Sequence, residues 1–143
     1  MHIRQVLRRK GSEVATVEAT ASVRDALALL AEHHVGALVV SGDGKTVEGI
    51  LSERDVVRAL HDRGADLLTD PVSSLMTADV HTCVPSSGVE DLARTMTDHR
   101  VRHVPVVDGG VLVGIVSIGD VVKARLDELE EERAKLVDYI QTV

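Results

Sequence analysis

Ser52 and Asp55 stand three residues apart, and so do Ser117 and Asp120, in two segments that are near copies of each other. Gly49-Ile50-Leu51-Ser52-Glu53-Arg54-Asp55-Val56-Val57 recurs as Gly114-Ile115-Val116-Ser117-Ile118-Gly119-Asp120-Val121-Val122, 65 positions later. A serine at a helix start with an acid three residues on is compatible with two roles. As a capping box, each side chain satisfies the other residue's backbone N–H, which stabilises the helix by about 1 kcal/mol and binds nothing. As a ligand site, the hydroxyl, the free N–H groups of the first turn and the helix dipole together suit an anion.

The elements that must hold these pairs are themselves doubled, and an internal repeat governs the reading of the whole fold. Val17, Thr20, Val23, Asp25, Leu30 and His33 match Cys83, Ser86, Val89, Asp91, Met96 and His99 at a spacing of 66. Val35-Gly36-Ala37-Leu38-Val39-Val40 matches Val101-Arg102-His103-Val104-Pro105-Val106 at the same spacing, and one residue is then lost in a glycine-rich turn. In the first copy we expect a strand over 14–17 and a helix over 23–34, capped by Ser22. A hairpin over 38–51 and a helix starting at Asp55 complete it. In the second copy we expect strands over 80–84, 104–107 and 111–116, a helix over 89–100 and a final helix from Asp120. The fold class is therefore α/β (α+β), two β-α-β-β-α repeats packed as a pseudo-twofold pair. The expected divisions are 8–63, a connector over 64–73 with breakers Gly64 and Pro71, 74–125, and a C-terminal amphipathic helix over 126–143. One repeat alone buries too little surface to be comfortable, so the two copies are expected to share one core, with a cleft on each side of the axis.

Composition removes several function classes. A net charge of −7 argues against non-specific nucleic-acid binding, and with no Trp, no Phe and only Tyr139 there is no platform on which to stack bases. No apolar run approaches the roughly 18–20 residues that span a bilayer. Met1-His2-Ile3-Arg4-Gln5 has no apolar region of a secretory signal, and a single cysteine, Cys83, suits a reducing cytoplasm. The seven histidines lack ligand spacing: His33 and His34 are adjacent on a helix and face apart, and His81, His99 and His103 are scattered. Cys83 reads as a small buried hydrophobe. No phosphate-binding loop, nucleophile elbow or paired-acid pattern occurs, so no enzyme and no metal site is expected.

The doubled motifs resemble the closing signature of cystathionine-β-synthase-type (CBS) domains. Val101-Arg102-His103-Val104-Pro105-Val106-Val107-Asp108 resembles the family's strand after the first helix, and Ser74-Leu75-Met76-Thr77 its lead-in to a second repeat. The match covers 8–125 with no catalytic domain attached, which implies a stand-alone tandem pair, a Bateman module. The resemblance implies a non-catalytic sensor that binds AMP, ADP, ATP, NAD or S-adenosylmethionine as regulatory ligand in its two clefts, with no obligatory cofactor. It also implies a homodimer, and an unidentified protein target would complete a regulatory circuit. In such a site the aspartate accepts both hydroxyls of a ribose and the serine meets a phosphate.

On that reading, the first cleft consists of Ser52, Arg54, Asp55, Val80, His81, Val101, Arg102 and His103. The second consists of Val14, Ala15, Val35, Gly36, Ala37, Ile115, Ser117 and Asp120. The first has cations for a phosphate and the second small neutral residues, so the first is expected to bind the tighter. The competing reading is a structural or protein-interaction module whose clefts are vestigial. The tail adds a stripe of Val122, Leu126, Leu129, Arg133, Leu136, Ile140 and Val143 at alternating spacings of four and three. Such a stripe suits a helix lying on its own domain or packing against a second subunit.

Overall fold

The computed structural model describes residues 1–142. Helix α1 (Ile3–Lys10) opens the chain. The first repeat follows as β1 (Thr16–Val17), α2 (Val23–His33), β2 (Ala37–Val40), β3 (Gly49–Ser52) and α3 (Glu53–Arg63). Two short 3₁₀ turns then lead to α4 (Val89–His99), β4 (His103–Asp108), β5 (Val111–Ser117) and α5 (Ile118–Thr142). In the first repeat β1 lies parallel to β2 and β2 antiparallel to β3. In the second, β4 and β5 form an antiparallel pair, with a bulge between Val106 and Val107.

Both repeats end their first helix in the same unusual way. His34 and Arg100, neither of them glycine, adopt φ of 53° and 54°, and the next N–H, of Val35 or Val101, reaches back to the Leu30 or Met96 carbonyl. This closes a helix with a left-handed residue, turns the chain into β2 or β4, and aims residues 100–103 at the space between the repeats.

Two expectations differ from the structure, and helix α1 is an element beyond those expected. The expected strand over 80–84 reduces to one bridge, Cys83 to Val106, because only Cys83 exchanges backbone hydrogen bonds with the β4 edge. The expected C-terminal helix is present and continuous with the last helix of the second repeat, α5 running unbroken for 25 residues. Finally, the copies do not share one core: one apolar cluster centres on Val23, Leu38 and Leu51, the other on Val89, Val104 and Val116.

Two cores exist because the repeats exchange their lead-in segments. The N–H groups of Val72 and Ser73 donate to the carbonyls of Ala21 and Ala19, and the Val23 N–H donates to Asp70. The same three bonds recur with α1 on the other repeat: Ile3 to Ser87, Arg4 to Pro85, and Val89 to Met1, at 2.9–3.0 Å. Ile3 and Val6 are buried in the second core, as Leu67 and Val72 are in the first. Each exchange presses a side chain on the glycine that opens the doubled motif. A Cβ on Gly49 would lie 2.7 Å from Met76 Sδ, and one on Gly114 2.7 Å from Leu7 Cδ2. The glycine is needed for this close approach, not for its φ.

Candidate functional site

A cavity of about 550 Å³ opens between the repeats, within the roughly 300–1,000 Å³ usual for small-molecule sites. Its floor is the start of α3. Ser52 is the N-cap, its Oγ accepting from the Asp55 N–H at 3.2 Å, and the Ser52 N–H donates to Asp55 Oδ2 at 2.9 Å. This is a complete capping box, and it fixes the carboxylate at the cavity edge. The opposite wall comes from the other repeat: residues 100–103 behind the α4 cap, and Thr77, Asp79, Val80 and His81 from the segment after the second lead-in. The His81 ring is held by stacking on His99, with centroids 4.2 Å apart.

All eight residues expected of the first cleft line this one cavity. Two arginines not singled out in the sequence join them, Arg58 and Arg100. Arg58 lies one helical turn beyond Arg54, a spacing legible in the sequence once α3 is drawn. Arg100 is brought in by its left-handed backbone, which nothing in a non-glycine residue announces. Among the described residues none of the four guanidinium groups in the cavity forms an ion pair. Glu53, Asp55 and Asp79 share the cavity without pairing to them. Four open cationic forks and first-turn N–H groups suit phosphate oxygens. The Asp55 carboxylate, with its box made on one side, can accept a diol.

His103 sits where the repeats meet, its ring 3.4 Å from the position a Cβ on Gly36 would take. Burial pushes its imidazole below the ordinary value, Glu53 and Asp120 pull it upward, and Lys10 and Arg102 add to the lowering. Gly36, expected in the second cleft, lines the first cavity instead. Its carbonyl accepts the Glu53 N–H at 2.9 Å, which holds it beside the Ser52–Asp55 box of its own repeat. Arg102, its counterpart, accepts the Ile118 N–H at 2.8 Å in the same way.

The second set of residues is arranged differently. Ser117 and Asp120 form the same hydrogen-bonded pair, at 2.8 and 3.2 Å. Here, however, Lys10 Nζ lies 2.6 Å from Asp120 Oδ2 and 2.8 Å from the Ile115 carbonyl. Burial raises the Asp120 carboxyl, but the hydrogen bonds from Lys10 and the Ser117 N–H outweigh it and the net shift is downward. Asp120 borders a hollow of only about 90 Å³ with Arg9, Lys10 and Lys123. Ala15 packs on the first core, its carbonyl accepting the Val39 N–H, and Ala37 is buried in β2. Val14 and Val35 remain partly exposed and join neither the 550 Å³ cavity nor the hollow at Asp120.

No group of three or more potential metal ligands occurs among the described residues, and none of the helices described is long and apolar enough to cross a membrane. Burial pushes the Cys83 thiol up to about 11, leaving it without thiolate character at neutral pH.

Comparison with known proteins places this geometry. Residues 3–62 and 72–127 match the family model described as CBS domain. The crystal structure of a CBS-domain-containing protein from Agrobacterium tumefaciens superposes with a TM-score of 0.84 at 45% identity, covering 87% of this chain and 99% of that one. A CBS domain protein from Pyrobaculum aerophilum, complexed with AMP, superposes with a TM-score of 0.75 at 31% identity, covering 84% and 89%. A mitochondrial CBS domain-containing protein of Arabidopsis thaliana is 39% identical over 124 residues, which are 84% of this chain and 60% of that protein.

Proposed function

The chain belongs to the CBS-domain family, and we propose that it is a regulatory module whose 550 Å³ cavity receives an adenosine-containing ligand. The pair of CBS repeats is a non-catalytic, regulatory class of fold. The observation that carries the reading is one cavity that holds a preformed Ser52–Asp55 box together with four arginines, two on α3 and two on the opposite wall, none of which forms an ion pair among the described residues. Asp55 is assigned the ribose hydroxyls. Ser52, the α3 N-terminus, Arg54 and Arg102 are assigned the phosphate, and Val80 and Val101 the base. AMP, ADP, ATP and NAD all present these groups; S-adenosylmethionine shares the nucleoside but carries no phosphate. A similar protein complexed with AMP supports the class.

Two further parts of the reading concern assembly and place. The protein is proposed to be a homodimer joined through α5, because residues 129–142 are exposed throughout. An isolated helix of that length is marginal in water without something to pack on. It is proposed to act in the cytoplasm, where the single thiol stays reduced, on a protein target that reads the ligand-bound arrangement. A ligand signals only if it prefers one arrangement energetically.

The test is a thermal-shift panel with AMP, ADP, ATP, NAD and S-adenosylmethionine. Saturation at about 100 times Kd adds roughly 2.7 kcal/mol, which for a chain of this size raises Tm by roughly 6–10 °C. A flat panel would leave the reading of a purely structural module, for which the Lys10-bound second carboxylate is the favouring observation.

A further inference from the structure

The two Ser-x-x-Asp boxes are near-identical in backbone and opposite in what approaches them. The first lead-in puts Leu7 on Gly114, and the second puts Met76 on Gly49. Counting three residues on from each contact gives Lys10 in one case and Asp79 in the other. Lys10 reaches Asp120, at 2.6 Å. Asp79 lines the same cavity as Asp55, and a carboxylate there cannot pair with it as an ammonium would. The matched backbone acceptor differs as well: the Ile50 carbonyl takes the Thr77 N–H, whereas the Ile115 carbonyl takes the Lys10 ammonium. One side chain therefore delivers two N–H donors to the carboxylate and carbonyl at the second box. Those are the groups that a ligand diol would have to reach.

We propose that Lys10 is a built-in occupant of the second ligand seat, so that the chain takes one adenosine ligand as it stands and gains a second when Lys10 is removed. The inference rests on the function proposed above and adds its stoichiometry and the residue that sets it. Helix α1 is anchored independently of this lysine. Ile3 and Val6 are buried in the second core, and Arg9 pairs with Asp127 at 3.0 Å. Loss of the ammonium therefore frees Asp120 without undocking the helix. Gly11, with φ of 96° and open space around it, follows Lys10 directly and lets the end of α1 adjust.

The experiment is isothermal titration of the full chain with AMP, on wild type, Lys10→Met and the double variant Lys10→Met/Asp120→Asn. The expected result is one AMP per chain for wild type, two for Lys10→Met with the added site the weaker, and one again for the double variant. Two per chain in wild type, or one in a folded Lys10→Met, overturns the inference and leaves the first site standing. No binding by any form overturns both the inference and the reading beneath it. If Lys10→Met fails to give a cooperative melt, Lys10→Gln, which keeps a polar group while removing the charge, decides the same question by the same count.

Discussion

Replacing either motif glycine by alanine should destabilise the protein unequally, in an order set by what the new methyl meets. At Gly49 the Cβ would come 2.7 Å from Met76 Sδ and 2.9 Å from the Thr77 carbonyl oxygen. That oxygen is backbone and cannot retreat freely: it accepts the Ile50 N–H at 3.0 Å, and the Thr77 N–H donates to Ile50 at 2.9 Å. Overpacking costs about 1–3 kcal/mol, and weakening one of these hydrogen bonds adds about 1 kcal/mol, so roughly 3 kcal/mol is expected. At Gly114 the nearest atoms are the Leu7 methyl carbons at 2.7 and 2.9 Å. A leucine side chain yields by leaving its rotamer minimum for about 1 kcal/mol. At about 3 °C per kcal/mol for a chain of this length, Gly49→Ala should lower Tm by about 9 °C and Gly114→Ala by about 3 °C. Melting of both variants by far-UV circular dichroism checks this. Equal losses, or a larger loss at Gly114, would refute the claim that the exchanged lead-ins differ in rigidity.

Arg102→Ala should weaken AMP binding by about tenfold, the lower end of what a charge-assisted hydrogen bond supplies, because the guanidinium is exposed; unchanged affinity by titration would remove Arg102 from the phosphate site. His103 has its folded value held below 6.5 by burial, so the unfolded chain binds more protons there. Stability is therefore present above that pH and lost as pH falls through it. The Tm of His103→Gln should accordingly fall less than that of wild type between about pH 7.5 and 5.5, and parallel curves would contradict it. A chain ending at Asp127 should sediment as a monomer where the full chain is a dimer; an unchanged dimer would take α5 out of the assembly.

The site on α3 was legible because its signals are local. A serine, an acid and a glycine at fixed offsets, repeated 65 residues on, specify a strand, a cap and a helix without any distant information. The apolar spacing of Val23, Ala26 and Leu30 likewise marked the buried face of α2. Helix α1 was missed although Ile3, Val6 and Leu7 have helical spacing, because its counterpart lies at a different offset. Leu7 matches Met76 at 69 positions whereas Val17 matches Cys83 at 66, and three extra residues hide the correspondence. The bond between Lys10 and Asp120 spans 110 positions, and one sequence carries no trace of a pairing at that range. The strand expected over 80–84 failed where Val80 and His81 turn toward the cavity, so that only Cys83 stays on the ladder. The last member of the apolar stripe, Val143, lies outside the described residues. The rest of the stripe is present on α5 with Leu126, Leu136 and Ile140 at 60–71% exposure.

Helix α1 leaves a ribosome long before its seat, which is built from Pro85, Ser87 and Gly114. For most of synthesis Ile3, Val6 and Leu7 have nothing to cover them, while the opposite half can already close around its own clasp at residues 70–76. Such late, long-range closure slows folding. The second half therefore matures last, and it depends for its completion on residues made before the first half.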